Sequence, residues 1–242
     1  LAAPPPTAPA MSDHVLDNPI WESLASRHRA LALQQDGCAR YPAVVAPFLG
    51  VARHGDDVAE ALDSLVPVDD TVLLLGVAPQ VPEGWQLQKL AELAQMVCPE
   101  PMATIDGPDI VELSEAHRAD VLALTALVYP HYFRLRTMDL GRYFGLYEDG
   151  RLAAIIGERM GMDDHQEISA VCTHPDFNGR GYARRLLAHL TNDTLARGRR
   201  PFLHVAHENR RAKQLYEQCG YRDRRDIPFW SLRRETVMKA TR

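Results

Sequence analysis

The sequence reads as an α/β (α+β) protein, and three observations say so. Strand-like and helix-like patterns alternate along residues 21–232. Residues 167–190, EISAVCTHPDFNGRGYARRLLAHL, pass from a strand pattern through a turn of small residues into a helix. Asp149-Gly150 stands between two apolar runs, which is a strong two-residue hairpin signal.

Taken in order, residues 1–10 (LAAPPPTAPA) are rich in Pro and Ala and lack the basic start and apolar run of a signal peptide. Residues 1–12 are expected to be a disordered leader or cloning remnant, with Met11 as the natural start. Residues 13–98 are expected to form an additional amino-terminal α/β subdomain. Within it, residues 21–34 read as a helix, with Leu24, His28 and Leu31 near one face. Asp56-Asp57 opens a second helix through Val58, Ala61, Leu62 and Leu65. Residues 71–76 (TVLLLG) read as a buried strand, and residues 85–98 hold at least one more. This half reads equally as a degenerate lobe of the same type as the second half or as an unrelated cap over a substrate mouth. Residues 99–108 (PEPMATIDGP) look like an interdomain linker.

The second unit, residues 109–242, opens with a short strand at 110–113. Ser114 caps a helix whose apolar face carries Val121, Leu124 and Val128. Residues 143–148 and 152–159 flank the hairpin. In the central strand Ile168, Ala170 and Cys172 fall on one face and Glu167, Ser169, Val171 and Thr173 on the other. Pro175 cannot donate to a ladder and ends it. The following helix shows Ala183, Leu186, Leu187 and Leu190 on one side, with Gly198 at its stop. A strand at 202–206, a helix from Asn209 and a last strand at 229–232 complete the chain.

Composition narrows the function classes. A hydrophobic fraction of 46% is ordinary for a folded chain, and a net charge of −5 argues against a nucleic-acid binder. The four cysteines, Cys38, Cys98, Cys172 and Cys219, lack metal-ligand spacing and read as reduced, buried thiols. No apolar run approaches membrane-spanning length. A cytoplasmic location is expected, with neither membrane nor nucleic acid as partner; oligomeric state is left open.

A strand, a turn of small residues and a helix make an anion cradle. The first amides of a helix lack internal acceptors, and its dipole leaves positive charge there. Glycines remove side chains that would hold a phosphate away, and Arg180 and Arg184 add charge. A phosphate-bearing ligand is one reading of this turn; tight strand–helix packing is the other. The Walker pattern needs Lys-Ser or Lys-Thr where Tyr182-Ala183 stand, and the dinucleotide fingerprint needs a different glycine spacing.

The turn, Asn178-x-x-Gly181-x-Ala183, resembles motif A of the GNAT superfamily of N-acetyltransferases, Gln/Arg-x-x-Gly-x-Gly/Ala, with Asn at the first position. Residues 209–221 match a second GNAT pattern, Asn-x-x-Ala-x-x-Leu-Tyr-x-x-x-Gly-Phe/Tyr, at Asn209, Ala212, Leu215, Tyr216, Gly220 and Tyr221. The resemblance spans about residues 108–236. It implies a GNAT fold, with a mixed, mostly antiparallel central sheet flanked by helices, and acetyl-coenzyme A as cofactor with coenzyme A as product.

The resemblance also implies site residues. The turn amides of Asn178, Gly179, Arg180, Gly181, Tyr182, Ala183 and Arg184 hold the pyrophosphate. Backbone amides of Val171, Cys172 and Thr173 pair with the pantetheine arm and serve the developing oxyanion, on a strand that splays from its neighbour. Tyr216 is the aligned general acid; on pattern alone it is a buried aromatic of an amphipathic helix. Asn209 is a helix N-cap, a cofactor ligand, or both. Glu167 aligns with a catalytic glutamate of histone-type members and is the candidate base, the other reading being a solvated strand-end acid. His174 reads as a turn residue and Glu208 as a helix-start charge.

For the acceptor, Tyr132, Arg134 and Arg136 lie in the loop that family members use to line the pocket, and they suit an acidic or carboxylate-bearing amine. His204-x-x-His207 does not suit a metal, because that spacing on a strand-to-loop stretch points the rings apart. The expected activity is transfer of an acetyl group to a primary amine of a small molecule or peptide, by direct attack in a ternary complex. The alternatives are a non-catalytic acyl-coenzyme A sensor and an interaction protein.

Overall fold

The computed structural model describes residues 14–129 and 132–235. The expected leader, residues 1–12, and the Met11 start lie outside the described residues. Eleven strands, β1 (Leu33–Gln35), β2 (Cys38–Arg40), β3 (Leu49–Val51), β4 (Thr71–Leu75), β5 (Trp85–Val97), β6 (Ile110–Leu113), β7 (Tyr143–Glu148), β8 (Arg151–Gly161), β9 (His165–Thr173), β10 (Arg200–Ala206) and β11 (Arg222–Arg234), make two sheets. Among the described residues five α-helices accompany them: α1 (Pro19–Ala25), α2 (Ala59–Leu65), α3 (Arg118–Val128), α4 (Tyr182–Ala196) and α5 (Arg210–Gln218).

The large sheet has eight strands in the order β4-β11-β5-β10-β9-β8-β7-β6. Only β9 and β10 are parallel in it; every other neighbouring pair is antiparallel. The expected mixed, mostly antiparallel sheet is thus present. A small sheet, β1-β2-β3, is joined to it by a bridge between Phe48 and Leu73.

Alternation in the strands sorts the core into two faces. On β8, Ile156 packs with Leu186, Leu187 and Leu190 of α4 and Tyr216 of α5, whereas Ile155 packs with Val121 and Leu124 of α3. On β10, Leu203 and Val205 join the α4–α5 side, and Phe202 joins Leu16, Ile20 and Leu24 around α1. Helices therefore cover both faces of the sheet.

The structure departs from the sequence reading in two places. The helix expected over residues 21–34 ends at Ala25 and gives way to a 3-10 turn and β1. Ser23 and His28 are drawn into a buried polar cluster: the Ser23 hydroxyl lies 3.0 Å from the Tyr41 hydroxyl and donates to Gly161 O at 3.1 Å, and His28 Nδ1 lies 2.8 Å from Tyr41 Oη. Tertiary hydrogen bonds outweigh the weak helical preference of this segment. The second departure concerns residues 13–98. Residues 99–108 have no regular structure, but they do not separate two sheets: β5, from before the linker, lies between β10 and β11, from after it. The linker is tied to α4 by Asn192, whose side chain bonds both N and O of Met102 at 2.8 Å.

Candidate active site

β9 and β10 are paired over three rungs only: Arg200 opposite His165, Pro201 opposite Gln166, and Phe202 opposite Glu167. Beyond that point β10 stays with β5 as far as Ala206, and β9 stays with β8 as far as Thr173. The two central strands part, leaving residues 168–173 of β9 without a ladder partner on the β10 side. An unpaired strand edge accepts an extended, amide-bearing ligand.

A bulge accompanies the parting. Ile155 faces Cys172 and Gly157 faces Ser169, so Ala170 and Val171 together oppose Ile156, and Ala170 has φ +51. A left-handed backbone costs a residue with a Cβ roughly 1–2 kcal/mol, and such strain persists where a site requires the geometry. The bulge also corrects the expected faces of the strand. Ile168 and Val171 pack toward α4 and α5, while Ala170 and Cys172 pack toward α3; the extra residue flips the alternation.

Two hollows meet where the strands part. A groove of 660 Å³ is lined by Val171 and Thr173 of β9, by residues 178–184 of the turn, and by Asn209 and Tyr216. A chamber of 460 Å³ is lined by Phe48, Leu75, Leu90, Leu93, Tyr132, Arg159, Met160, Cys172, His204 and Phe229, among others. Val128, Val171, Asn209, Ala212 and Tyr216 border both. Val128, expected on the apolar face of α3, is 38% exposed at this junction.

The turn lines the groove with little packed against its glycines. Gly179 and Gly181 have φ +81 and +78, and a Cβ on either would meet no atom within 4 Å. α4 starts at Tyr182, and the first amide to bond back is Arg185 N, to Gly181 O at 3.0 Å. The amides of Tyr182, Ala183 and Arg184 are the orphan donors of the helix, at its positive end. Arg184 is exposed on the groove; Arg180 is ion-paired with Glu148, whose carboxylate also accepts from the Tyr182 hydroxyl. An elongated ligand with an anionic middle fits this set.

Tyr216 sits on α5 and is 8% exposed. Burial pushes its phenol well above the usual tyrosine value, so it stays protonated at neutral pH. Asn209 caps α5, its Oδ1 accepting from Ala212 N at 3.2 Å while its side chain borders both hollows.

Glu167 is not a solvated strand-end acid: it is 0% exposed. Arg159 holds it with two hydrogen bonds, Nε to Oε2 at 2.7 Å and Nη2 to Oε1 at 2.6 Å, and His204 Nδ1 lies 2.8 Å from Oε1. Burial alone would raise its pKa, but the Arg159 guanidinium outweighs it and, with His204, brings the carboxyl down to about 2. A carboxylate so held has little drive to take a proton, and the geometry does not support the base assigned to it from the resemblance.

His204 belongs to a longer network. Gln95 Oε1 accepts from Arg224 Nη1 at 2.6 Å and its Nε2 donates to Leu16 O at 2.8 Å, which fixes the amide's orientation. Gln95 Nε2 then also donates to His204 Nε2 at 2.9 Å, leaving Nδ1 to carry the hydrogen given to Glu167. His207 points elsewhere, to Asp226 at 2.8 Å.

Of the three residues expected to recognise the acceptor, only Tyr132 lines the chamber. Arg134 and Arg136 are exposed; Arg136 pairs with Asp139 at 2.6 Å, because the chain turns outward into a 3-10 helix at Thr137–Leu140. The chamber wall instead takes Phe48, Leu75, Leu90 and Leu93 from the amino-terminal half, together with Arg159. Arg159 and Glu167 carried one legible signal, opposite charges on strands that also hold long apolar runs. The distant wall residues carried none.

Comparison with known proteins agrees with this geometry. The FR47-like protein family model matches residues 143–230. A crystal structure from Novosphingobium aromaticivorans, of a protein assigned to the GNAT acetyltransferases, is 36% identical, with a TM-score of 0.83 over 93% of this chain and 100% of that one. A GCN5-related N-acetyltransferase from Kribbella flavida, 13% identical, superposes with a TM-score of 0.62 over 93% of this chain and 96% of that chain. A GCN5-related N-acetyltransferase-like protein from Streptococcus suis, 15% identical, gives 0.54 over 93% and 95%; these two speak for the fold. A search of curated proteins returns no match. The parted central strands, the glycine turn and the near-complete match to the Novosphingobium structure together show that this chain belongs to the GNAT family of acetyltransferases.

Proposed function

We propose that this protein transfers an acetyl group from acetyl-coenzyme A to a primary amine of a small molecule or peptide, by direct attack in a ternary complex. GNAT proteins generally use acetyl-coenzyme A, and its bound thioester supplies an activated carbonyl. The residues around the groove fit it. The amides of Gly179, Gly181, Tyr182, Ala183 and Arg184 suit the diphosphate, with Asn178 and the Arg184 side chain beside them. The free edge of β9 at Val171, Cys172 and Thr173 suits the amides of the pantetheine arm, and the same edge offers N–H donors to charge developing on the carbonyl oxygen.

Tyr216 carries the reading, because it borders both the groove and the chamber. A phenol kept protonated at that junction can give its proton to a departing thiolate. Direct attack is favoured over an acyl-enzyme because Cys172, the thiol lining the chamber, is pushed up to about 12 by burial and is no nucleophile at neutral pH. The amine attacks as the free base, since no carboxylate among the described chamber residues is placed to accept its proton; as the C–N bond forms and the C–S bond breaks, the proton shed by the nitrogen restores the Tyr216 phenol. Free-thiol release from acetyl-coenzyme A across an amine panel tests the proposal: amine-dependent release is expected, and release indifferent to amine would remove it.

A further inference from the structure

The charge inventory of the chamber names the acceptor. Its described lining holds two basic side chains, Arg159 and His204, and both are already engaged. Arg159 faces Glu167 through two hydrogen bonds and lies over the Phe48 ring, 5.1 Å from its centre. His204 has Nδ1 on Glu167 and Nε2 on Gln95, so neither ring nitrogen is left for a ligand. Arg134 and Arg136, the cations that sequence suggested for an acidic acceptor, do not reach this space.

The rest of the wall is mostly apolar and aromatic, and its other polar groups, Ser169, Asn209 and the tyrosine hydroxyls, are uncharged. Phe48, Leu93, Met160, Tyr132 and Phe229 form the wall, with the Tyr132 and Phe229 rings edge to face at 6.1 Å. Leu90, at the rim, is 45% exposed. A carboxylate entering such a space meets only an Arg159 already neutralised by Glu167, and a second ammonium meets no carboxylate, which is the expensive case for burial.

We infer that the acceptor is a primary amine borne on a bulky apolar or aromatic group and carrying no second charge, the group filling this chamber and the amine pointing at the junction beside Tyr216. The inference rests on the acetyl-transfer reading for the amine's fate, but its selectivity belongs to the chamber alone. It also assigns a role to the amino-terminal half, which supplies Phe48, Leu90 and Leu93 as specificity-determining residues.

The test is a comparison of matched amines on the full chain, by thiol release and by calorimetric titration in the presence of coenzyme A. 2-Phenylethylamine is set against phenylalanine, which adds a carboxylate, and against putrescine, which adds a second ammonium and removes the ring. The expected result is kcat/KM for 2-phenylethylamine at least about tenfold above both, as desolvating an unpaired charge requires. Leu90→Asp, at the exposed rim where folding tolerates it, should narrow the gap to putrescine by about tenfold or more by giving a cation a partner. Equal or preferred use of phenylalanine or putrescine by the wild type overturns the inference. Selective binding of 2-phenylethylamine without turnover of any amine keeps the chamber assignment and removes acetyl transfer. No binding and no turnover of 2-phenylethylamine overturns it.

Discussion

Phe202 lies opposite Glu167 in the last rung of the parallel ladder, and two residues further on His204 turns back to hold the same Glu167 at 2.8 Å. The strands separate immediately after a buried ionic cluster that locks them together. Through Arg159, Glu167 and His204 the cluster ties β8, β9 and β10 together where the ladder ends, which fixes the point at which the opening begins. Several measurable consequences attach to it.

Removing one member of the buried pair should be costly. Arg159→Leu leaves the Glu167 charge uncompensated, and urea unfolding should show a loss of about 3–5 kcal/mol. The double change Arg159→Leu, Glu167→Leu should be milder than Arg159→Leu alone, because no buried charge is then unpaired. A double variant weaker than the single one would contradict the cluster's description.

The same carboxylate should write itself into the acid stability. The folded pKa of Glu167 is about 2, below its ordinary 4.5, so its contribution is fully present above pH 4.5 and is lost as pH falls toward 2. The window is worth roughly 3 kcal/mol. Glu167→Gln should be less stable at neutral pH and should lose that part of the pH dependence in urea titrations. It should also leave the pH profile of kcat unmoved, as a positioning anion must and a general base cannot.

Tyr216→Phe keeps the ring's packing and removes only the hydroxyl. Turnover should drop by about a hundredfold or more while the affinity for coenzyme A stays within about threefold. Full activity in this variant would take the acid role from Tyr216.

If the acceptor enters as the free base, kcat/KM should rise with pH up to the pKa of the amine used. The inflection should move when the amine is changed and stay put when Glu167 is. An inflection fixed by the protein would point to a base that the chamber's geometry does not show.

Much of this was legible in the sequence because it is local. The turn at 178–183 and the helix from Asn209 are contiguous patterns, and both stand where those patterns put them, as do the Asp149-Gly150 hairpin and β4. What is long-range was hidden. Nothing near residues 85–97 says that β5 will lie between β10 and β11, and nothing near Phe48 or Leu90 says that they will face Tyr132. The faces of β9 were misread because one alanine with φ +51 shifts the alternation, and alanine gives no warning of it. Glu167 was placed on the correct strand, but its burial depends on Arg159, eight positions earlier on the neighbouring strand.

The central claim is that the glycine turn grips a diphosphate while the parted strands receive the arm attached to it. Calorimetric titration of coenzyme A, and of pantetheine lacking the diphosphate, into the wild type and Gly181→Val tests it most directly. The account predicts coenzyme A binding in about the micromolar range, about 8 kcal/mol, and far weaker binding of pantetheine. It also predicts a loss of about tenfold or more for coenzyme A in the variant, where a side chain is forced onto φ +78 and into the groove. Equal affinity for the two ligands, or a variant that binds coenzyme A as the wild type does, would contradict it.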